Sequence, residues 1–309
     1  MKRFFNRATI FAAVIVFSST VSFAENTGIG NEYPSLNRGV RALGMGNAFV
    51  SQKGTDYNAQ FYNPAAINDF EKKHHFLFVN PGADMNTGII NTINDVLDLS
   101  DDLDADGSDS EKLDTFDAFV LAHAGDFNHA VVNLPLFHIR HKYYAAGLIV
   151  DGRTTISLRN PTFPNFELKS VNDAGIAGGG AYAFFDDSLQ VGLNLKVLYR
   201  AAIEEQITSN DILNQDLGDI VGWSAWSKGY GVGVDLGTKY ALPWWKETLH
   251  PTFAVVIQDI ADTRFSGGAP KTPMSVSAGG GVFPKFGPVE FGVLADFREI
   301  NQQQDFLKK

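Results

Sequence analysis

The feature that most constrains this chain is an alternation of apolar with small or polar residues, which is clearest after residue 170. Between residues 190 and 200 every second position is apolar, and Gly192, Asn194 and Lys196 lie between them. The same pattern returns between residues 230 and 241. Successive side chains of a strand point to opposite faces, so a period of two predicts strands with one apolar face.

The connections between the predicted strands alternate in length. They are residues 186–188, 204–227, 242–249, 261–273 and 284–288, of which the second and fourth are long. No segment after residue 24 approaches the run of about 18 apolar residues that predicts a spanning helix. Short turns on one side and long loops on the other are typical of outer-membrane barrels. We therefore predict an all-β fold, a transmembrane antiparallel β-barrel. A soluble β-sandwich or propeller, which also alternates, is the alternative.

The N-terminus has the plan of a secretory signal peptide. A basic opening is followed by an almost wholly apolar run over residues 8–17 and by small residues that end at Ala24. This run is too short to cross roughly 30 Å of hydrocarbon as an anchoring helix. We predict a signal peptide over residues 1–24 and export to the bacterial outer membrane.

Composition argues against several functions. Removing Lys2, Arg3 and Arg7 with the signal peptide leaves 22 basic against 35 acidic residues, a net charge of −13. An acidic chain repels phosphate backbones, so nucleic acid is not expected as a partner. The chain has no cysteine, which excludes a disulfide framework, a lipid-attachment cysteine and a cysteine nucleophile.

A distinctive motif lies between residues 37 and 67. An Arg-Ala-x-Gly-Met-Gly stretch spans residues 41–46, Asp56 follows, and Phe-Tyr-Asn-Pro-Ala-Ala spans residues 61–66. Pro64 restricts Asn63 to extended geometry, and the asparagine side chain can bond to its local backbone. A loop followed by a helix with Asn63 as N-cap explains the same residues and is compatible with a plug.

In this motif the chain resembles the FadL-type outer-membrane transporters of long-chain fatty acids and other hydrophobic compounds. It is also similar to their PorV-type secretion-associated and TraF-like relatives. The resemblance implies a hatch over residues 25–73, which folds inside a barrel formed by residues 74–309. The hatch motif comprises Arg41, Gly44, Met45, Gly46, Asn63, Pro64 and Ala65. We expect the apolar lumen to be lined by Met45, Phe49, Phe61 and Tyr62.

Two glycine triplets lie within predicted strands, and the first comprises Gly178, Gly179 and Gly180. Glycine inside a strand marks a bulge, a bend or a close backbone approach. In FadL-type transporters a kinked strand makes a lateral opening, so the resemblance makes this triplet a candidate strand kink. Small residues facing a crowded lumen are the alternative.

An acidic insertion over residues 85–115 is predicted to form a helix and a loop. Asp102, Asp104 and Asp106 have the spacing of the first half of a calcium loop, followed by Gly107. The twelfth position, where a bidentate acid is expected, holds Leu113. We therefore favour a solvated acidic loop over a calcium site.

Other chemistry is sparse. The seven histidines have no recognised metal-ligand spacing, and no phosphate-binding loop or catalytic serine motif occurs. We predict that the chain is not an enzyme and needs no cofactor, calcium apart. The predicted function is passive transport of hydrophobic small molecules, with membrane lipids and the solute as partners. The alternatives are a PorV-like scaffold for secreted proteins or secretion machinery, and a structural envelope barrel.

The strand count predicts an incomplete or atypical barrel. Nine strands are predicted, over 116–124, 127–136, 142–158, 172–186, 189–203, 229–241, 250–260, 274–284 and 288–298. Single-chain bacterial barrels have an even number of strands, so both ends lie on the periplasmic side. Either closing C-terminal strands are missing, or residues 74–80 and 288–298 close the sheet in an atypical way.

Overall fold

A computed structural model describes residues 40–53, 56–104, 108–159, 165–214, 217–244, 248–286 and 289–301. The predicted signal peptide and the first part of the predicted hatch lie outside these ranges. Ten strands form one antiparallel sheet, and 49% of the chain is strand, so the expected all-β class is confirmed.

The sheet follows the chain with one strand beside the next. Its strands are β1 (His75–Leu77), β2 (Gly82–Met85), β3 (Phe127–His141), β4 (Tyr144–Arg159), β5 (Asn165–Phe184), β6 (Leu189–Thr208), β7 (Ser227–Ala241), β8 (Thr252–Gln258), β9 (Ser275–Val282) and β12 (Val293–Phe297). The short β10 (Lys285–Phe286) and β11 (Val289–Glu290) form a separate hairpin. The order is β1-β3-β4-β5-β6-β7-β8-β9-β12, with β2 also paired to β3.

The helices lie outside the sheet order. They are α1 (Val40–Gly44), α2 (Ala59–Tyr62), a 3-10 helix (Pro64–Asp69), α3 (Gly88–Asp104), α4 (Asp109–Ala122), α5 (Ser209–Asn214) and α6 (Leu217–Val221). None of the helices in the described ranges has both the length and the apolar character needed to cross a bilayer.

The two longest strands, β5 and β6, pair without interruption from Asn165↔Thr208 to Phe184↔Leu189. Their turn places Phe185, Asp186 and Asp187 at positive φ. Aspartate tolerates this region better than most residues, and here two aspartates in succession make the tight turn. The turn predicted at residues 186–188 is therefore confirmed.

The alternation in β6 places apolar side chains on the exposed face. Leu193 is 52% exposed, and Leu195 and Val197 are each 47% exposed. The side chains between them, Asn194 and Lys196, are buried. We call these the exposed face and the buried face of the sheet. The usual arrangement of a soluble protein, with apolar residues inside, is reversed here.

One end of the sheet has a conventional apolar core. Phe116 and Val120 of α4 are fully buried against the ends of β4, β5 and β6 and against α3. The other members of this cluster are Ile89, Leu99, Leu103, Ile156, Leu158, Phe166, Ile207, Ile212 and Leu217. We call α3, α4 and this cluster the helical cap. It covers the end opposite the turn at residues 185–188.

The strand predicted at residues 116–124 is wrong, because these residues belong to α4 and the turn after it. The helix begins with a capping box, in which the Ser108 side chain accepts from the Glu111 N–H and the Glu111 carboxylate accepts from the Ser108 N–H. Such a box satisfies two backbone donors at the helix start. The suggested strand at residues 74–80 is confirmed in its central part, since β1 pairs with β3.

Candidate functional site

The predicted hatch motif packs on the buried face of the sheet. Residues 40–53 and 56–70, here called the inner segment, contact β5, β6 and β7 through the 3-10 helix. Every residue from Tyr57 to Asn68 is buried. The segment covers the end of the sheet near the turn at residues 185–188, since Asn68 Nδ2 donates to the carbonyls of Lys142 and Ala181.

Asn63 is the central tie between the inner segment and the sheet. Its Nδ2 donates to the Val50 carbonyl at 3.0 Å and to the Thr238 carbonyl at 3.1 Å. Its Oδ1 accepts from the Ala65 N–H at 3.0 Å and so caps the 3-10 helix, with Pro64 at the first position. The predicted N-cap role is confirmed. The same side-chain amide thereby connects Val50 and the start of the 3-10 helix to strand β7.

Glycines on the sheet make room for this contact. A Cβ at Gly237 would collide with Asn63 Oδ1 and lie 2.8 Å from Pro64 Cδ. A Cβ at Gly192 would collide with the Pro64 carbonyl. The backbone of the segment therefore lies directly on β6 and β7, and only glycine fits at these two positions without displacement.

Further polar ties connect distant parts of the chain. Asp296 Oδ2 accepts from the N–H groups of Phe49 at 2.6 Å and Val50 at 2.8 Å. Gln258 Nε2 donates to the Phe61 carbonyl at 2.6 Å. Lys239 forms an ion pair with Asp69 of the 3-10 helix. These contacts attach the segment to β7, to the end of β8 and to β12.

The start of the motif forms a separate turn. The Ala42 carbonyl accepts from the N–H groups of Met45 and Asn47, while Gly46 and Asn47 have positive φ. Gly46 is therefore required by backbone conformation. A Cβ at Gly44 would have no neighbour within 4 Å, so packing does not explain this glycine. Arg41 is exposed, with its guanidinium 5.9 Å from the centre of the Phe49 ring.

The four residues expected to line an apolar lumen lie in two clusters. Phe49 and Tyr62 are buried with their ring centres 5.0 Å apart, and Met45 packs partly buried against the same cluster. Phe61 lies separately, against Ile149 of β4 and Ala177 of β5. The structure thus places all four side chains in the packed contact between the inner segment and the sheet.

Charged residues on the buried face are paired. Lys196 Nζ lies 2.8 Å from both Asp235 Oδ1 and Asp259 Oδ1. Arg200 binds Asp173 through two bonds of 2.7 Å each. A buried charge without a partner is very costly, and these pairs satisfy that requirement. The network links β5, β6, β7 and the loop after β8 beyond the reach of the inner segment.

The contact between the inner segment and the sheet is incompletely hydrogen-bonded. Nine buried side-chain atoms in the described ranges have no hydrogen-bond partner, and five of them belong to Ser51, Gln52, Asn58, Gln60 and Asn68 of the segment. Three more belong to His138, Gln190 and Asp296, each of which bonds to the segment through another atom. The helical cap, in contrast, is held by apolar contacts.

The candidate strand kink at Gly178, Gly179 and Gly180 is not a bulge. Strand β5 keeps its register with β4 and with β6 through all three residues. A Cβ at Gly179 would meet the Leu193 carbonyl at 2.6 Å, which indicates close packing. A register shift lies instead in β3, between Pro135 and His138.

The candidate calcium ligands do not form a loop site in the part that is described. Asp102 and Asp104 belong to the last turn of α3, and Asp106 lies outside the described residues. The structure therefore extends the helix into the first half of the predicted loop.

A cavity of about 420 Å³ lies where the inner segment meets the first strands. It is lined by Arg41, Asp56, Tyr57, Asn58, His75, Phe76, Leu77, Asn80, Pro81, Gly82, Asn133, His138 and Arg140. Burial raises the pKa of the Tyr57 phenol, although hydrogen bonds with Asn58 and Asn80 oppose this shift. The phenol is therefore a neutral hydrogen-bonding group at physiological pH.

The sequence did not reveal the partners of the motif. Gly192, Gly237 and Lys239 follow the alternation of β6 and β7, and this placed them correctly on one face. Nothing local connects them to Asn63, Pro64 or Asp69. The only signal in the sequence was the residue types themselves. Glycine and lysine are rare on a strand face that packs in an apolar core, so their presence indicated a different kind of contact there.

No protein-family model, curated protein or solved structure matches this chain.

The close contact under Asn63 gives a testable prediction. We expect Gly237→Ala to displace the inner segment, because the new Cβ collides with Asn63 Oδ1. Amide hydrogen exchange over residues 56–70 should rise at least tenfold, while exchange in the middle of β5 stays unchanged. The matched control is Gly178→Ala, whose Cβ would make an ordinary contact of 3.6 Å with Ala146. Equal exchange in both variants would refute the proposed seating of Asn63.

Proposed function

We propose that this chain is an exported bacterial outer-membrane β-barrel whose inner segment acts as a hatch. We propose further that it conducts hydrophobic small molecules, such as long-chain fatty acids, passively across the membrane. The membrane assignment rests on one observation, the reversal of the two faces of the sheet. In this proposal residues 1–24 are the signal peptide that directs export.

The exposed face is too apolar for a surface that contacts water. Large apolar side chains are exposed on neighbouring strands from β4 to β8, including Leu148, Ile176, Leu193, Leu195, Val197, Val232, Leu236 and Phe253. Burying one such side chain typically stabilises a protein by about 1.5–3 kcal/mol. A soluble monomer rarely leaves so many adjacent ones exposed. Contact with lipid acyl chains removes this penalty.

Aromatic residues bound the apolar band at both ends. One rung of the ladder joins Phe184, Leu189, Tyr240 and Phe253. A second rung joins Tyr199 and Tyr230, whose ring centres are 5.0 Å apart. Ten residues along β6 separate the rungs. At about 3.4 Å per residue and a tilt of about 40°, this is about 25 Å of membrane thickness. Outer-membrane barrels have apolar bands of that height between aromatic girdles.

A membrane location also requires that the sheet leave no open edge in lipid. Each unsatisfied backbone group in hydrocarbon costs several kcal/mol, which is why spanning sheets are closed. The end strands of the order are β1 and β2 on one side and β12 on the other. Our proposal includes closure between these ends, with the ion pairs of Lys196 and Arg200 inside the lumen.

The transport part of the proposal is supported by the nature of the hatch contact. Polar side chains hold the inner segment, and several of their buried atoms have no partner among the described residues. Water can satisfy such groups when the segment moves, so separation costs less than opening an apolar core. A polar contact of this kind suits a hatch that shifts to release a solute.

A second candidate function is a scaffold for a secreted protein or secretion machinery. The observation that favours it is a stripe on α3, where Ile90, Ile93 and Leu97 are exposed at helical spacing. Exposed apolar stripes mark interaction surfaces in many proteins. Transport remains our first proposal because the inner segment packs on the buried face of the sheet, which would be the lumen side of a closed barrel.

The membrane assignment predicts a strong position dependence for added charge. Leu195 lies near the middle of the band between the aromatic rungs, so Leu195→Arg should destabilise the folded state by about 2–4 kcal/mol in a bilayer. The control is Gln206→Arg, which adds the same charge at a position of β6 that is exposed but lies beyond the Tyr199 rung and on the opposite side of the strand. Urea titration of folding into phospholipid vesicles measures both. Equal midpoints for the two variants would contradict insertion of this face.

The hatch proposal can be tested with a reversible lock. The chain has no cysteine, so Ser51→Cys and Gly281→Cys introduce the only thiols. A Cβ at residue 281 would lie 3.0 Å from Ser51 Oγ, which is compatible with the spacing of a disulfide. We expect uptake of a radiolabelled long-chain fatty acid by expressing cells to stop under oxidation and to return with a reductant.

Each single-cysteine variant is the control for thiol effects alone. Uptake that continues at the wild-type rate with the disulfide formed would refute a moving hatch. Uptake that never exceeds the level of cells without the protein would favour the scaffold function.

A further inference from the structure

The cavity between the inner segment and the first strands lies at a break in the edge of the sheet. Strand β1 ends at Leu77, which pairs with His138, and β2 begins at Gly82, which pairs with Asn133. Strand β3 has its register shift between these two partners, at residues 135–138. The break and the shift face each other, and the cavity of about 420 Å³ lies beside them.

Two buried hydrogen-bond acceptors around this cavity have no partner in the described ranges. They are Asn58 Oδ1 and His138 Nδ1, and both residues line the cavity and are 2% exposed. His138 Nε2 lies 3.1 Å from Gln60 Oε1, an atom that only accepts. The proton of the neutral ring is therefore on Nε2, and Nδ1 is an acceptor. Buried polar atoms normally have partners, so these two acceptors indicate that a donor occupies the cavity.

The orientation of the imidazole places its free acceptor on the cavity side. A Cβ at Gly147 of β4 would lie 2.7 Å from His138 Cδ2, so this edge of the ring faces β4. Nδ1 is on the opposite edge of the ring and therefore faces β1 and β2, which pair with β3 on its other side. The break between those strands, where the cavity lies, is on that side.

The polar groups around the cavity disfavour a charged ligand of either sign. An anion only accepts hydrogen bonds and would leave both acceptors unsatisfied. A cation would be repelled by the guanidinium groups of Arg41 and Arg140, which also line the cavity. Asp56 is the acidic residue of the described lining, and its Oδ1 already accepts from the backbone and side-chain N–H groups of Asn58, at 3.0 Å and 3.2 Å. A neutral hydroxyl, which donates and accepts through one atom, fits these groups.

The cavity is larger than two ordered waters require. One buried water needs roughly 10–15 Å³ of such space, and the cavity provides about 420 Å³. Small-molecule sites typically have volumes of about 300–1,000 Å³. Phe76 forms one wall and is 55% exposed, so it offers an apolar face to the C–H groups of a ring. The dimensions and the lining therefore suit a small ring that carries several hydroxyls.

We infer that this cavity binds a neutral polyhydroxylated group of the size of a monosaccharide, whose hydroxyls donate to Asn58 Oδ1 and His138 Nδ1. Arg41 and Arg140 donate to hydroxyl oxygens on the other side of the ring. The inference does not depend on the proposed transport function and adds a ligand of a different class. The hydroxyls can belong to a free sugar or to the head group of a glycolipid, and the site recognises the same chemistry in both.

The test compares two six-membered rings that differ in their hydroxyl groups. Methyl β-D-glucoside and 2-methoxytetrahydropyran, which has the ring and the methoxy group without hydroxyls, are titrated onto the full chain in lipid nanodiscs. Empty nanodiscs are the blank, and saturation-transfer difference NMR measures binding. We expect the glucoside to bind at least tenfold more tightly, because only its hydroxyls satisfy the buried acceptors.

The variant His138→Phe removes one acceptor and keeps a planar ring. We expect it to weaken glucoside binding about fivefold, while amide hydrogen exchange in the middle of β5 stays at the wild-type level and shows that the sheet is intact. The matched control is His129→Phe, since His129 lies on the same strand and does not line the cavity. If His138→Phe does not fold, Asn58→Leu removes the other acceptor in its place.

Equal affinity of the wild type for the two rings, or no binding of the glucoside, would overturn the site and leave ordered water as the occupant. An equal loss in His138→Phe and His129→Phe would overturn it as well. Octyl β-D-glucoside distinguishes the two sources of the sugar. An affinity equal to that of the methyl glucoside supports a free sugar, and a higher affinity supports a glycolipid head group. None of these outcomes changes the transport proposal, which the uptake measurements test separately.

Discussion

The structure depends on the need to partner every charge on the buried face of the sheet. Lys196 and Arg200 point away from the exposed face and are almost fully buried, so each requires a carboxylate within bonding distance. Asp173, Asp235 and Asp259 meet that need and thereby fix how β5, β6, β7 and the loop after β8 face one another. Replacing one partner alone would leave an uncompensated buried charge, a change that typically costs about 3–5 kcal/mol. Charge pairing sets the specificity around Lys196 and Arg200, while Leu193, Leu195 and Val197 of the same strand lie on the opposite face.

The inner segment is the second consequence of a polar buried face. Its own polar side chains donate to strand carbonyls, Asn63 to that of Thr238 and Asn68 to that of Ala181. Glycines on β6 and β7 let the backbones approach each other, and Asp296 of the last strand accepts two N–H groups at the start of the segment. The inner segment therefore fits closely on the sheet through polar contacts, whereas the helical cap at the other end is held by apolar contacts.

The strands could be predicted from sequence because the alternation with a period of two depends only on residues that are neighbours in the chain. The error at residues 116–124 has an equally local cause. Phe116, Val120 and their neighbours suit either a short strand or a buried helix, and periodicity alone does not distinguish these. The capping box of Ser108 and Glu111 was the signal that would have decided the question. For the site, the motif was recognisable but its partners were not. Asp296 lies 247 positions from Phe49, and pairings of that kind follow from the fold of the whole sheet.

The central claim is that the exposed face of the sheet contacts lipid and its buried face does not. The most direct test is a nitroxide scan of residues 191–199 in β6, since a chain without cysteine accepts one spin label at a time. In phospholipid vesicles, oxygen is concentrated in the acyl region and a water-soluble nickel chelate is excluded from it. The account predicts high oxygen and low nickel accessibility at Leu193, Leu195 and Val197, with low accessibility to both reagents at the positions between them. Nickel accessibility at those three positions equal to that of an aqueous loop would contradict it.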